Sequence, residues 1–185
     1  MVIKLNLIVG FCLFSIVLPI AHAQTKWLVT NADLDVRLIA RSQDQMAAFY
    51  EARGFPRNAV NQLNQFCFFT VGITNKSNGI IHHNLDKWSF SSNDISLKRV
   101  QRNTLKTYWL NSGLEKRLVS TFRWTLLPET LDFRPQESEG GNIVISRSQQ
   151  SFNIHAVFNK NDNNKSKIIK ININNILCAN NVKSK

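Results

Sequence analysis

The chain is poor in the residues on which several kinds of active site depend. Its 185 residues include three cysteines, seven glycines and four prolines, and 12 acidic residues stand against 23 lysines and arginines. There is no C-x-x-C pair, no G-x-S-x-G, no H-E-x-x-H and no glycine-rich loop leading into a helix. These absences argue against thioredoxin-like redox chemistry, serine hydrolysis of the α/β-hydrolase type, zinc proteolysis and phosphate-loop nucleotide binding.

Long hydrophobic runs are missing except at the N-terminus. The first 23 residues, MVIKLNLIVGFCLFSIVLPIAHA, combine Lys4, an apolar run of 16 residues from Leu5 to Ile20 and the small residues of AHA. This is the pattern of a secretory signal peptide. The alternative is a transmembrane anchor, but the run is short for a span and contains Pro19. We expect cleavage before Gln24, no membrane-spanning segment after it, and a periplasmic or secreted protein.

The chain that remains after cleavage suits one domain, at 24–180, with a frayed tail at 181–185. Without Lys4, 22 basic residues stand against 12 acidic ones, which leaves a formal charge of +10. In an exported protein this charge favours an anionic surface or another exported protein as partner, and not nucleic acid. The alternative is that the charge only maintains solubility.

Cysteine usage indicates a structural bridge. Cys12 leaves with the signal peptide, so that Cys67 and Cys178 are the two thiols of the exported chain. Two cysteines in an oxidising compartment favour a disulfide. A redox-active or metal-binding thiol is the alternative, but there is no histidine next to either cysteine.

Alternation of apolar and polar residues predicts a mainly β (α+β) fold. The segments with this period are LDVRL at 34–38, FCFFTVGITN at 66–75, KWSF at 87–90, STFRWTL at 120–126, IVI at 143–145, SFNIHAVF at 151–158 and IIKININNILC at 168–178. The last segment changes phase, which predicts a bulge near Asn174 and Asn175. Turn residues such as Asn78-Gly79 separate the segments, as in an antiparallel sandwich or barrel.

A short helical pair is predicted after the first strand, at about 43–65. Ser42 and Gln45 have the spacing of a capping box, Gly54 fits the end of the first helix and Pro56 fits the start of the second. The pair either covers one open end of a sheet or forms a DNA-binding helix–turn–helix. The export signal argues against DNA binding. A third helix is predicted between Leu97 and Leu110 from a weaker 3.6-residue period.

Three histidines are the candidate metal ligands. His82 and His83 are adjacent, so in a strand they point to opposite faces and cannot hold one ion together. His155 falls on the outward phase of its strand. A Cu or Zn site would require the fold to gather these residues, with Met46 as an additional candidate ligand. No cofactor is expected.

The segment LPETLDFRPQESEGGN, at 127–142, predicts a long surface loop. A partner contact formed by Phe133, Arg134, Glu137 and Glu139 is one interpretation, and the other is that Phe133 plugs the sandwich from below. Acidic residues of this segment, Glu129 and Glu137 among them, are also the candidates for cell-wall glycan hydrolysis.

The stretch FFTVGITNKSNGIIHHNLDKWSF, followed later by LLPET, resembles the small immunoglobulin-like sandwiches of bacterial exported proteins. The resemblance covers roughly residues 66–158. It implies an antiparallel immunoglobulin-like β-sandwich and a non-catalytic role in binding or assembling envelope components, with no catalytic residue carried over. Metal binding and cell-wall hydrolysis are the alternative functions.

Overall fold

A computed structural model describes residues 26–92, 95–162 and 165–179. The predicted signal peptide at 1–23, with Cys12, and the predicted tail at 181–185 lie outside the described residues. Within the described residues, no helix has the length and apolar character needed to cross a membrane.

The described residues form ten strands and four α-helices. The strands are β1 (Lys26–Thr30), β2 (Leu34–Arg41), β3 (Phe66–Asn75), β4 (Ile80–Asn84), β5 (Ser89–Ser92), β6 (Ile95–Ser96), β7 (Thr130–Phe133), β8 (Ser138–Ser146), β9 (Phe152–Asp162) and β10 (Lys165–Ile176). The helices are α1 (Gln43–Glu51), α2 (Arg57–Gln62), α3 (Arg102–Asn111) and α4 (Lys116–Trp124), and single 3₁₀ turns lie at Leu63–Gln65 and Leu85–Lys87.

The strands form two sheets whose neighbouring strands are antiparallel. Sheet I has the order β1-β2-β3-β8, and sheet II has the order β6-β5-β9-β4-β7. In sheet II, β5 and β4 pair with opposite ends of one edge of β9, while β10 pairs along its other edge. The mainly β, α+β class is therefore confirmed.

The two sheets enclose a shared core, built by the alternation that the sequence shows. The inward residues of β2, β3, β9 and β10 are all buried, among them Leu38, Phe69, Ile154 and Ile171. Each strand thus presents one apolar face to the opposite sheet, and burial of these faces is the main force that holds the sheets together.

The helices form a third layer on the outer face of sheet I. Outward-facing Phe68 and Val144 join a second apolar cluster with residues of all four helices. At its centre the ring of Tyr50 in α1 stacks on Phe122 in α4, with centroids 5.0 Å apart, and the Tyr50 hydroxyl hydrogen-bonds Thr125 at 2.7 Å. Sheet I is consequently buried on both faces where the helices lie.

The expected strand at 120–126 is wrong, because this segment belongs to α4 and the residues that follow it. Leu118, Val119 and Phe122 form one buried helical face. Trp124, which a strand would place on the buried side together with Phe122, is instead 79% exposed. Residues such as Phe, Trp and Thr favour strands, but the packing of Phe122 against Tyr50 selects the helix here.

Three further boundaries differ from expectation. Strand β1 precedes β2, so the helical pair follows the second strand and not the first. The segment expected as a long loop contains β7 and most of β8, joined by a short turn in which Gln136 has a φ of 65°. Helix α3 begins at Arg102, five residues after Leu97.

Several local signals are confirmed. The capping box is present, with Ser42 Oγ accepting from the Gln45 backbone N–H and Gln45 Oε1 accepting from the Ser42 N–H, both at 3.2 Å. Gly54 has a φ of +83°, which favours glycine. The register of β9 and β10 shifts between Ile173 and Ile176, as a bulge there requires.

Side chains link the sheets at both ends of β3. At its start, Cys67 forms the predicted disulfide with Cys178, just after β10, with a Cα–Cα distance of 5.5 Å. Near its end, buried Asp33 accepts hydrogen bonds from Lys160 at 2.9 Å and Lys167 at 2.8 Å. These bonds, led by the one from Lys167, hold the pKa of Asp33 below its usual value.

The disulfide predicts a large loss of stability on its removal. It closes a loop with a sequence separation of 111 residues, and we expect the variant Cys67→Ser/Cys178→Ser to unfold with about 4 kcal/mol less free energy than the oxidised protein. Urea unfolding of the purified protein measures this. Reduced wild-type protein is the control and should match the variant, while an unchanged midpoint in both would contradict a stabilising bridge.

Candidate binding surface

The three histidines lie in different surroundings. His82 is partly exposed and contacts Asp132 across β4 and β7, with 2.6 Å between Nδ1 and Oδ1. His155 is half-buried and hydrogen-bonds Asn172 on β10. His83 is fully buried. The described residues contain no group of three or more His, Cys, Asp or Glu side chains placed to hold a metal ion. The geometry therefore does not support a metal site at the three histidines.

Burial determines the protonation state of His83. Its ring lies between Trp88 and Phe133, with centroids 6.1 and 5.8 Å away, and neither ring nitrogen has a hydrogen-bond partner among the described residues. Burial, followed by repulsion from His82 and Arg99, lowers the pKa of His83 to about 4, and the nearby Pro128 carbonyl only partly offsets this. His83 is therefore neutral at pH 7 and belongs to the core.

The residues of the predicted acidic loop are dispersed. Phe133 is completely buried, so its side chain is not available to a partner and fills the core, as the plug interpretation required. Glu137 Oε2 accepts from the Arg134 backbone N–H at 2.7 Å and stabilises the turn after β7. Glu129 bonds the Arg102 N–H at 2.9 Å and pairs with Arg99 at 2.7 Å. Glu139 is exposed and helps to line a depression on sheet I.

This depression occupies the part of the outer face of sheet I that the helices leave uncovered. Since strand residues alternate between faces, the register places outward residues in rows that cross the strands. One row runs Leu28, Arg37, Gly72, Gly140, and the next runs Thr30, Asp35, Thr74, Ser138. The depression has a volume of about 620 Å³. It adjoins a second one of about 380 Å³ beneath α1 and the end of α4, and we call the two together the trough.

Glycines form the floor of the trough. Gly72 and Gly140 are direct cross-strand partners, and Gly141 follows. A Cβ on Gly141 would lie 2.4 Å from the Leu127 backbone N, and one on Gly140 would lie 2.7 Å from the Val71 carbonyl O, so both glycines are needed for close backbone packing. Gly72 differs, because a Cβ there would meet only the Arg37 guanidinium, at 3.5 Å.

Polar side chains and an exposed indole border the floor. Arg41 Nε donates to Thr70 Oγ1 at 2.8 Å, and the Thr70 hydroxyl donates to Asn142 Oδ1 at 2.8 Å. Trp124, the last residue of α4, lines the same end of the trough as Phe49 and Arg41. A tryptophan that is 79% exposed in a folded domain is unusual and is characteristic of interaction surfaces.

The trough holds two arginines, Arg37 and Arg41, against two carboxylates, Asp35 and Glu139. Asp35 is engaged by Lys76 at 2.7 Å, and hydrogen bonds from Lys76 and then Thr30 lower the pKa of its carboxyl group. Arg37 is exposed and has neither an ion pair nor a hydrogen bond to any of the described residues. The terminal nitrogens of Arg41 are likewise without a described partner, so two guanidinium groups face Glu139 alone.

A cleft of about 650 Å³ lies between α3 and the β5–β6 hairpin. Its polar groups bond to one another: the Tyr108 hydroxyl donates to Gln62 Oε1 at 2.6 Å and accepts from Gln65 at 3.2 Å. Arg99 is held by Asp86 and Glu129. Arg99 of the cleft is thus paired with two carboxylates, whereas Arg37 of the trough has no such partner among the described residues, so the trough has more to offer an anionic ligand.

The sequence contains one signal for the trough, a glycine within a strand. Gly72 interrupts the alternation of FCFFTVGITN, and a glycine inside a strand often marks a close approach of backbone or ligand. Arg37, Arg41 and Trp124 had no such signal, because the rows of a sheet become visible only once its register is known.

No protein-family model matches the chain, and no curated protein is significantly similar to it in sequence.

The buried state of His83 predicts acid sensitivity. Its folded pKa of about 4 lies below the ordinary value of 6.5, so the unfolded chain binds more protons between these values and stability falls as the pH drops through this window. We expect about 2 kcal/mol less free energy of unfolding at about pH 5 than at about pH 7. Urea unfolding at both pH values measures this.

The variant His83→Leu should lose that difference, whereas the control His82→Leu should keep it. An equal pH dependence in both variants would assign the acid sensitivity to other groups.

Proposed function

We propose that the protein is a non-catalytic periplasmic or secreted binding or assembly protein that contacts another exported protein or an anionic surface. The trough on sheet I supports this proposal. It combines two guanidinium groups that have no carboxylate partner among the described residues, an exposed indole and a floor of glycines over which Arg37 lies. Such a surface attracts an acidic ligand and gives it a shape to fit.

The remaining interpretations receive less support. A Cu or Zn site would need His82, His83 and His155 together, yet His83 lies in the core and the other two bond to Asp132 and Asn172. For the hydrolase, Glu129 and Glu137 are engaged in hydrogen bonds at two separate places. The immunoglobulin-like topology stays a prediction, and two antiparallel sheets around one core are compatible with it.

Site-specific crosslinking in cells tests the binding role. A photoreactive amino acid replaces Leu28, which lines the trough and is 66% exposed, or Ile168 on β10, which is 60% exposed. We expect the Leu28 position to capture one dominant exported protein or an anionic envelope polymer, several-fold more than the Ile168 position. Mass spectrometry of the adducts identifies what is captured.

The variant Gly72→Val sharpens this test. Valine suits a strand and has room beside Arg37, so the fold should persist while the floor of the trough is filled. Capture at Leu28 should then fall. Equal capture from both positions, unaffected by Gly72→Val, would contradict a binding role for this face.

A further inference from the structure

The hydrogen-bonding groups that line the trough are side chains, and this limits what can bind there. Hydroxyl, amide and guanidinium groups stand in successive rows: Thr70 and Asn142, then Arg37, then Thr74 and Ser138. By contrast, the backbone of the floor lies inside sheet I, where β3 bonds both β2 and β8. An added peptide strand would therefore find no ladder of free backbone groups on this floor.

The direction of the trough also favours a ligand that is bound by side chains over an added peptide strand. The glycine floor crosses the strands, since Gly72 and Gly140 are partners on neighbouring strands. A polymer that lies in the trough contacts side chains of all four strands of sheet I. It does not pair with the edge of any one strand. A polyol with hydroxyl groups all around each ring matches such a surface better than an extended peptide does.

Trp124 provides the apolar part of such a site. The indole stands at the end of α4 beside Arg41 and Gly140 and is largely free of contacts with the rest of the fold. The C–H groups on one face of a sugar ring pack on an aromatic face, while the ring's hydroxyls remain free to bond the neighbouring amide and guanidinium groups.

The arginines determine the charge of the ligand. A guanidinium binds a carboxylate through two parallel N–H···O bonds. The Arg41 guanidinium bonds Thr70, and the Arg37 guanidinium lies over Gly72, two residues further along β3, so the two groups are about 7 Å apart by the rise of a strand. A carboxylate on each arginine requires two acidic rings of one chain, so a ligand that engages both is an oligomer.

We infer that the trough binds an acidic polysaccharide whose sugars carry carboxylates, with one ring against Trp124 and carboxylates on Arg41 and Arg37. This inference rests on the proposed function and specifies the ligand class of that site. The floor at Gly72 and Gly140 lets the rings lie against the sheet. The Thr74 and Ser138 hydroxyls, whose oxygens bond each other at 2.7 Å, accept from sugar hydroxyls with their remaining lone pairs.

Calorimetry with the purified exported protein tests this, using a short oligomer of galacturonic acid and a galactose oligomer of the same length. We expect the acidic oligomer to bind and the neutral one to bind much more weakly. Arg37→Gln and Trp124→Ala should each weaken binding about tenfold or more. Arg147→Gln removes the same charge from an exposed residue away from the trough and should leave binding unchanged.

Gly72→Val tests the shape of the floor, because it fills the floor and removes no charge, although its side chain meets the Arg37 guanidinium, which lies 3.5 Å from the first added carbon. Binding should fall in this variant, with an unchanged urea midpoint showing that the fold is intact. If Arg147→Gln weakens binding as much as Arg37→Gln does, or if Gly72→Val has no effect, the inferred site is wrong.

Two other probes test whether the ligand belongs to a different chemical class. Binding of an oligoglutamate peptide as tight as that of the acidic sugar would show recognition of charge alone and overturn the saccharide inference. Binding of anionic phospholipid vesicles without any binding of the oligosaccharide would overturn it as well. In either case, trough-dependent crosslinking at Leu28 would still support the proposed function, so the two failures are distinguishable.

Discussion

The fold depends on the need to cover sheet I on both faces at one end. Along β3, Cys67 and Phe69 face the core between the sheets, while Phe68 between them faces the helices. Large apolar side chains on both faces of a strand require two partners. Sheet II supplies one of them, and the four short helices, none of which is long enough to be stable alone, supply the other by packing around Tyr50.

The site follows from where this double coverage ends. The outward residues of β3 change from Phe68 to Thr70, Gly72 and Thr74. The apolar surface that holds the helices thus gives way to polar and glycine positions within one strand. The helical layer stops there, and its last residue, Trp124, stands at the boundary. The second apolar cluster, under the helices, and the trough are two halves of the same sheet face.

The inner faces of the sheets could be predicted from the sequence, since alternation is a property of a few consecutive residues, as in Phe152 to Phe158 and Ile169 to Ile173. The outer layer could not. Phe122 becomes helical through Tyr50, which lies far away in sequence, and no local pattern contains that contact. The trough escaped prediction for a related reason: Arg37, Gly72 and Gly140 become neighbours only through the pairing of three strands.

The disulfide and the Asp33 ion pairs differ in kind, and this has a consequence for how the contact between the sheets responds to conditions. Cys67 and Cys178 join the sheets covalently at one end of β3. At the other end, about 30 Å away by the rise of a strand, Asp33 joins them through two lysines. The ion pairs are lost as the pH falls through the lowered pKa of the Asp33 carboxyl group, whereas the disulfide is lost only to a reductant. Strong acid and a reductant therefore loosen the sandwich at opposite ends of β3.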